Sequence, residues 1–426
     1  MAGTTFRSRK PSAKLVLCLL PPAKRTRVQP PVRLVERPSL PTWLLLSVVL
    51  GSAGVPALAA SQDPPVQHYR AVPEISVGDL DGPLALTRVG SLAVVDSLVL
   101  VSQPAERVVR VLHAGSGELL HEWGRTGDGP GEMRDLSWMG VVGLSVIIVD
   151  RGLRRVTRYS VDGTLVSSER FELPAPAPPF YFGGWIHSTR DGNLIVVGDV
   201  LAIEGGELPE LNPWRLIDPG GNVLDTLPAM AGGDRSVVLR RERGTNVVRR
   251  PLHRGDRVAI SVDGARFVRA GDRSGQGLSL AVYHTGDRRT EFLDLGVPPV
   301  RVPPDEAARV ERNLRRGLEE RGLTRGIDPR ELDRALAAPP WIPAVDELFV
   351  TGEGEIWLRE PSFGGRSHLW RVVGPDGTLA ATVEVPDGIV LRDRAGDHVW
   401  GYSLDPTYGV TSVVRARLEP VEAAGR

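Results

Sequence analysis

The chain is almost without cysteine and, beyond its first 60 residues, entirely without lysine. Among 426 residues the one cysteine is Cys18, and the three lysines are Lys10, Lys14 and Lys24. The rest of the chain therefore has no disulfide, no thiolate metal site and no cysteine nucleophile. Schiff-base lysine chemistry and a phosphate-loop lysine are excluded there too. Arginine fills every basic position, which genome base composition explains without appeal to function. The eight histidines include no His-x-x-x-His or His-Glu-x-x-His pair, so the zinc-protease signature is absent, and there is no Gly-x-Ser-x-Gly elbow. Aromatic residues make up only 5%, while β-branched residues are frequent, a balance suited to many short strands with modest cores between sheets.

The formal net charge of zero hides an asymmetry. The 52 basic and 52 acidic residues divide as nine and one over residues 1–60, and as 43 and 51 over the remainder. A mildly acidic body argues against general nucleic-acid binding. In the basic leader, Thr42 to Val49 (TWLLLSVV) follows Arg33 and Arg37 and precedes Ala57-Leu58-Ala59. A positive flank, a short apolar run and Ala-x-Ala form the anatomy of a secretory signal peptide, with cleavage expected after Ala59 or Ala60. The run is shorter than the ~20 residues a span requires and is broken by Gly51, Gly54 and Pro56. The mature protein is thus expected to be exported, periplasmic or extracellular, and not membrane-spanning. Residues 1–31 exceed a normal signal, so a start at Val28, Val32 or Val35 is expected. Cys18 follows Leu17, which is not the small residue a lipoprotein signal takes.

What is present is a repeat. Val99 to Gly115 (VLVSQPAERVVRVLHAG) lies over Ile147 to Gly163 (IIVDRGLRRVTRYSVDG) without a gap, 48 residues apart, apolar on apolar. A period of that size signals four-strand propeller blades. The pattern predicts one domain over 61–426. Its blades begin near Leu92, Trp138, Tyr181, Val258, Glu347 and Gly388. Many of their hairpins turn at Asp-Gly pairs such as Asp162-Gly163, Asp191-Gly192, Asp263-Gly264 and Asp376-Gly377. The last blade lacks a fourth strand, and Tyr69 to Val77 is available to supply it, which removes exposed sheet edges.

Between the first two blades runs Gly127-Asp128-Gly129-Pro130-Gly131-Glu132-Met133. This glycine-rich stretch resembles a phosphate-cradling loop but has no lysine and joins strand to strand, so it reads as a structural hinge in which Gly127, Gly129, Pro130, Gly131 and Glu132 mark the handover between blades. With the recurring Asp-Gly turns and the Ile-Trp-Leu strand at 356–358, it resembles the NHL-type six-bladed β-propellers, especially the exported bacterial kind, over roughly Ile75 to Pro420. Met133 stands where that family usually has phenylalanine. The resemblance implies an all-β, six-bladed propeller closed by the N-terminal strand.

Strand parity then separates two faces. First-to-second and third-to-fourth turns are tight and share one face. The long connections, Leu201 to Pro213, Ala229 to Arg257, Val300 to Pro343, Glu360 to His368 and Leu404 to Gly409, all fall on the other, where binding usually resides on a rigid scaffold. The longest carries a helical insert over 303–340. In it Ala307, Val310, Leu314 and Leu318 share a face, and a second helix is capped by Asp328-Pro329. It reads equally as a lid or as a brace between blades four and five. The candidate ligand-binding residues on or beside this face are Trp185, His187, Trp341, Arg359 and Tyr408, an aromatic and arginine floor suited to a protein, peptide or glycan. Core packing explains each of them singly as well. The arginines of residues 240–254 read as a solvated hairpin, Val237 to Arg241 against Asn246 to Arg250. Glu204, Glu207 and Glu210 lack an EF-hand pattern, and Asp150 reads as a turn cap.

The residues point to a monomeric binding scaffold with no evident cofactor, metal site or catalytic residue. The alternative is a propeller hydrolase or lyase, similar to the lactonases, with a metal in the central channel. A structural module of a cell-envelope assembly is a third reading. Fold alone does not decide among them.

Overall fold

The computed structural model describes residues 66–78, 84–175, 180–200, 214–228, 236–241, 244–252, 256–272, 277–405 and 409–421, all within the compact unit Gln62–Arg426. In chain order the elements are β1 (Gln67–Val77), β2 (Leu92–Val95), β3 (Leu98–Gln103), β4 (Val108–His113), β5 (Leu119–Trp123), β6 (Leu136–Val142), β7 (Ser145–Asp150), β8 (Arg155–Ser160), β9 (Leu165–Arg170), β10 (Phe180–Ser188), β11 (Leu194–Val200), β12 (Trp214–Ile217), β13 (Val223–Thr226), β14 (Ser236–Arg241), β15 (Gly244–Arg249), β16 (Arg257–Ile260), β17 (Arg266–Gly271), β18 (Ser279–His284), β19 (Arg289–Asp294), β20 (Val300–Arg301), α1 (Pro304–Glu320), α2 (Pro329–Leu336), β21 (Trp341–Ile342), β22 (Glu347–Val350), β23 (Ile356–Arg359), β24 (Ser367–Val373), β25 (Leu379–Pro386), β26 (Ile389–Ala395), β27 (His398–Leu404) and β28 (Thr411–Pro420).

The architecture is all-β with two helices. Strands β2–β5, β6–β9, β10–β13 and β16–β19 form four antiparallel four-stranded sheets, each in sequence order. Eight further strands form one sheet in the order β22-β23-β24-β25-β1-β28-β27-β26, and β14-β15 and β20-β21 form two-stranded sheets. The N-terminal strand β1 pairs antiparallel with β28 from Tyr69↔Pro420 to Val77↔Val413, the position the unpaired last strand calls for. It also runs further than the alternation in sequence suggests. Gln67 to Arg70 pair in parallel with Ala381 to Glu384 of β25, so β1 covers two sheet edges with one main chain.

Position in the sheet explains strand composition. The second strands β3 (LVLVSQ) and β7 (SVIIVD) are buried along nearly their whole length because sheets pack on both of their faces. The outermost β9 (LVSSER) is mostly exposed. Apolar clusters join consecutive sheets. Ala93, Leu100 and Val109 meet Met139, Val146 and Ile148. Ile147 and Val149 meet Ile186, Leu194 and Val196, and Trp214 and Leu216 meet Phe267 and Tyr283. Val268 and Leu280 meet Leu348 and Leu358, Trp357 and Trp370 meet Leu391 and Val399, and Trp400 and Val413 meet Leu92 and Val99. The last of these returns to the first sheet, so the sheets follow one another in a propeller-like cycle with β2, β6, β10, β16, β22 and β26 innermost.

The tight turns are built alike. Asp162 Oδ1 accepts from Thr164 N (2.9 Å), Asp263 Oδ1 from Ala265 N (3.1 Å) and Asp376 Oδ1 from Thr378 N (3.1 Å), the side-chain mimicry that favours aspartate before a turn glycine. Gly163 has φ +89° and faces the Trp123 indole, and Gly264 has φ +68° against the Ser188 carbonyl. A side chain would be strained at both positions and would also clash.

The hinge is a fixed loop. Gly129 N donates to Glu132 Oε2 (2.8 Å) and Arg125 Nε to Glu132 Oε1 (2.8 Å). These two contacts, the backbone one first, hold the Glu132 carboxyl below its usual range. Tyr159 donates to Gly131 O (3.1 Å), Gly131 has φ +77°, and Met133 is buried in the first inter-sheet cluster. Asp150, 1% exposed, accepts from the backbone of Arg134 (2.6 Å), Asp135 (3.2 Å) and Leu153 (2.9 Å), the capping role its position suggests.

The two longest connections form a satellite core. The hairpin β14–β15 pairs from Ser236↔Arg249 to Arg241↔Gly244, and its Leu239 and Val248 are buried with Leu318, Ile327, Leu332, Ala335 and Leu336 of the helical insert. Asp328 caps α2 through Arg330 N (2.8 Å). Of the expected α1 face only Leu318 is fully buried, because a small two-stranded partner covers just the C-terminal turns. The insert therefore braces the neighbouring insert.

Candidate site at the mouth of the central channel

The innermost strands enter from the long-connection side and leave toward the tight turns, so each strand's start marks one end of the channel and its finish the other. At the tight-turn end a backbone group crosses between sheets. Val262, in the turn after β16, accepts through its carbonyl from Val141 N of β6 (2.8 Å). That carbonyl, with the Trp138 indole, fills the space a Cβ at Gly140 would need. The Val262 side chain packs on the cluster containing Ala93, Met139 and Val141. Further inner-strand amides are taken by neighbouring sheets: Met139 N donates to Ser91 Oγ (3.2 Å) and Val94 N to Asp393 Oδ2 (2.8 Å). Asp393 is 4% exposed, and burial pushes its carboxyl up to about 7.

Above this stopper stand three rings. Trp138 is buried; His187 meets it edge-on with centroids 5.7 Å apart, and Trp185 stacks on His187 at 6.2 Å and 26°. Trp185 is 64% exposed. A strand places residues i and i+2 on one side, which is why Trp185 and His187 of β10 meet. Desolvation among the rings lowers the His187 imidazole to about 4, so it is uncharged at neutral pH. Its buried Nδ1 has no hydrogen-bond partner among the described residues.

The long-connection end of the channel is ionic. Arg359, at the end of β23, donates to Asp346 Oδ2 (3.0 Å) and lies 3.0 Å from Glu347 Oε2. Arg257, at the start of β16, reaches Asp346 Oδ1 (3.3 Å), and Arg392 of β26 reaches Glu347 Oε1 (2.6 Å). Arg392 also donates to Tyr402 Oη (3.2 Å) and lies 5.2 Å from its ring centroid. The chain of alternating charges spans β16, β22, β23 and β26, and its side chains are all less than a third exposed.

The sequence candidates thus divide. Trp185 and His187 come together. Arg359 belongs to the ionic side, whose members Arg257, Asp346, Glu347 and Arg392 were not singled out from sequence. Their separations of 89 residues for Arg257–Asp346 and 45 for Arg392–Glu347 leave no local signal. Trp341 is 55% exposed and pairs with Arg301 at the foot of the helical insert. Tyr408 lies outside the described residues, as do Glu204, Glu207 and Glu210. Among the described residues no group of three or more His, Cys, Asp or Glu could hold a metal, and no helix is long and apolar enough to cross a membrane. A separate cleft of about 350 Å³ is lined by Glu360, Pro361, Ser362, Ser367, Leu369 and Glu384. Its two carboxylates already meet Arg371 and Arg70, and it shares no lining residue with the ring column, so the mouth is the better candidate.

The topology defines a β-propeller-type protein. No protein-family model and no curated protein sequence matches the chain. Solved structures do align with it at low identity. A member of the DUF4221 family from Bacteroides vulgatus aligns at 8% identity and TM-score 0.47, covering 84% of this chain and 100% of that one. A protein from Bacteroides fragilis described as exported aligns at 10% and 0.42, covering 82% and 95%. The PQQ-bound aldose sugar dehydrogenase of Streptomyces coelicolor aligns at 15% and 0.39, covering 84% and 100%.

Proposed function

We propose that this chain is an exported six-bladed propeller of the NHL-like type that binds its ligand, a protein, peptide or glycan, at the channel mouth on the long-connection face. The eight-stranded sheet reads as two blades, β22–β25 and β26–β28 with β1, fused where β1 pairs with β25. Six inter-sheet clusters support the same count. The leader, with its positive flank and Ala57-Leu58-Ala59, supports export. The observation that carries the binding reading is the asymmetry of the channel: Val262 stops the tight-turn end, while the Arg359 network lies at the long-connection end and Trp185 is exposed between the two. Such concave, mixed apolar and polar sites are where propellers and other rigid scaffolds take ligands.

The test is a peptide and glycan array probed with the mature protein and two variants. Trp185→Ala alters the channel wall above the stopper, and Leu144→Ser alters an exposed residue of the tight-turn face. Loss of bound features with Trp185→Ala alone supports the reading. Loss with Leu144→Ser alone overturns it.

A further inference from the structure

We infer that the seam between β26 and β2, where the propeller-like cycle of sheets closes on itself, is a pH-sensitive latch: Asp393 with its proton holds these two innermost strands together, and without it releases them. The inference is independent of what the channel mouth binds. Strand β26 is tied differently on its two sides. Toward the preceding sheet, Arg392 pairs with Glu347 and Arg394 with Glu355. An arginine stays charged throughout the physiological range, so those ties persist there. Toward β2 the tie is one carboxyl: Asp393 Oδ2 accepts from Val94 N (2.8 Å), and Oδ1 from Arg394 N of its own strand (2.8 Å).

That carboxyl is 4% exposed, and among the described residues no cation pairs with it. Strand β2 (LAVV) brings only apolar side chains. On β27 the residue across the ladder is the buried Trp400, while His398 is turned to Glu74 and Asp397. Burial without a counter-charge disfavours the ionised form; two backbone donors oppose this and the like charge of exposed Glu353 adds to it, leaving the group at about 7. Once the strands part and water reaches the carboxyl, its value returns toward the ordinary 3.8. Above that value the open seam binds fewer protons than the closed one. Closure therefore weakens as pH rises, until about pH 7 and no further. Farther from the channel the same two sheets are joined by Arg415 of β28, which donates to Ala114 O (2.9 Å). That tie has no titratable acceptor, so the outer part of the seam stays joined while its channel-lining strands separate.

The experiment is hydrogen exchange of the mature protein, read by mass spectrometry between pH 5 and 8, with each rate divided by its intrinsic value. Opening of β2, read from peptides spanning Val94, should rise by up to about tenfold per pH unit between pH 5 and 7 and level off by pH 8. Peptides spanning Val141 serve as the control. Its amide crosses between sheets to the Val262 carbonyl with no carboxyl involved, and it should show no such trend. Asp393→Asn should keep β2 protected up to pH 8. A second readout needs no variant: the difference infrared spectrum of the parent, pH 6 minus pH 8, should carry the carbonyl stretch of one protonated carboxyl. The latch is overturned if protection of β2 is flat with pH, or if Asp393→Asn shows the parent's trend. It is equally overturned if Val141 loses protection in step with Val94, which would make the loosening global, or if the infrared difference lacks the carboxyl stretch.

Discussion

The two ends of the channel are built from the same innermost strands, yet they differ in kind. At the tight-turn end, space is filled by backbone: the Val262 carbonyl, the missing side chain of Gly140 and the Trp138 indole occupy one another's volume. At the other end, space is rimmed by side chains: the five-member ionic chain of Arg257, Asp346, Arg359, Glu347 and Arg392. Short turns leave no chain length with which to build a site, whereas long connections do. The contrast marks one end as packed for stability and leaves the other for the proposed ligand, and substitutions can break it.

The largest effect is expected at the stopper. Gly140→Val places atoms where the Trp138 ring and the Val262 carbonyl already lie. Because backbone cannot swing aside as a side chain tip can, it should cost about 3 kcal/mol or more, read as a lower urea midpoint. A variant as stable as the parent would show that the two sheets do not meet at Val262.

Asp393 sharpens the same point through pH. Its folded value near 7 exceeds the ordinary unfolded value of 3.8, so the native state holds the proton more tightly. Between about pH 4 and 7 the folded state binds more protons than the unfolded one, and this residue's contribution to stability falls as pH rises. Asp393→Asn keeps an acceptor for Val94 N without the charge. It should gain on the parent by up to roughly 4 kcal/mol between pH 4 and 8; urea midpoints at the two pH values measure the difference. A constant difference across that range would contradict the burial of this carboxyl between β26 and β2.

Smaller again is Glu347→Ala at the mouth. It leaves Arg359 with Asp346 alone and removes the one carboxylate seen on Arg392. These groups keep some contact with water, so about 1–2 kcal/mol is expected, less than for a fully buried pair, with partial screening in high salt. Least of all is Trp185→Ala, whose exposed indole should cost under about 0.5 kcal/mol in unfolding assays. A large loss there would make Trp185 a packing residue and erase the contrast between the two ends.

Much of the scaffold was legible in the sequence because its signals are local. Strand alternation and Asp-Gly turns such as Asp162-Gly163 each lie within one hairpin, and the 48-residue offset from Val99 to Ile147 repeats that local pattern in the next sheet. Even the partner of β28 followed from counting strands. The pairing of Gln67–Arg70 with β25 did not, since it depends on how two sheet edges approach in space. The site divides the same way. Trp185 and His187 are two residues apart on one strand and could be read together. Val262 acts through its carbonyl, to which the side-chain alphabet gives no clue, and the partners of Arg359 reach it from other strands and turns. The helical insert was ambiguous because its apolar face could serve a lid or a brace. Its partner, the β14–β15 hairpin, lies in another connection.

The absence of cysteine after residue 60 allows a direct test of the one-ended channel. The mature protein with Trp185→Cys and, separately, with Val262→Cys can be exposed to a bulky maleimide under native conditions, each normalised to its rate in denaturant. The account predicts that Trp185→Cys reacts close to its unfolded rate and Val262→Cys at least tenfold more slowly. Equal protection at the two positions, or faster reaction at 262, would contradict it.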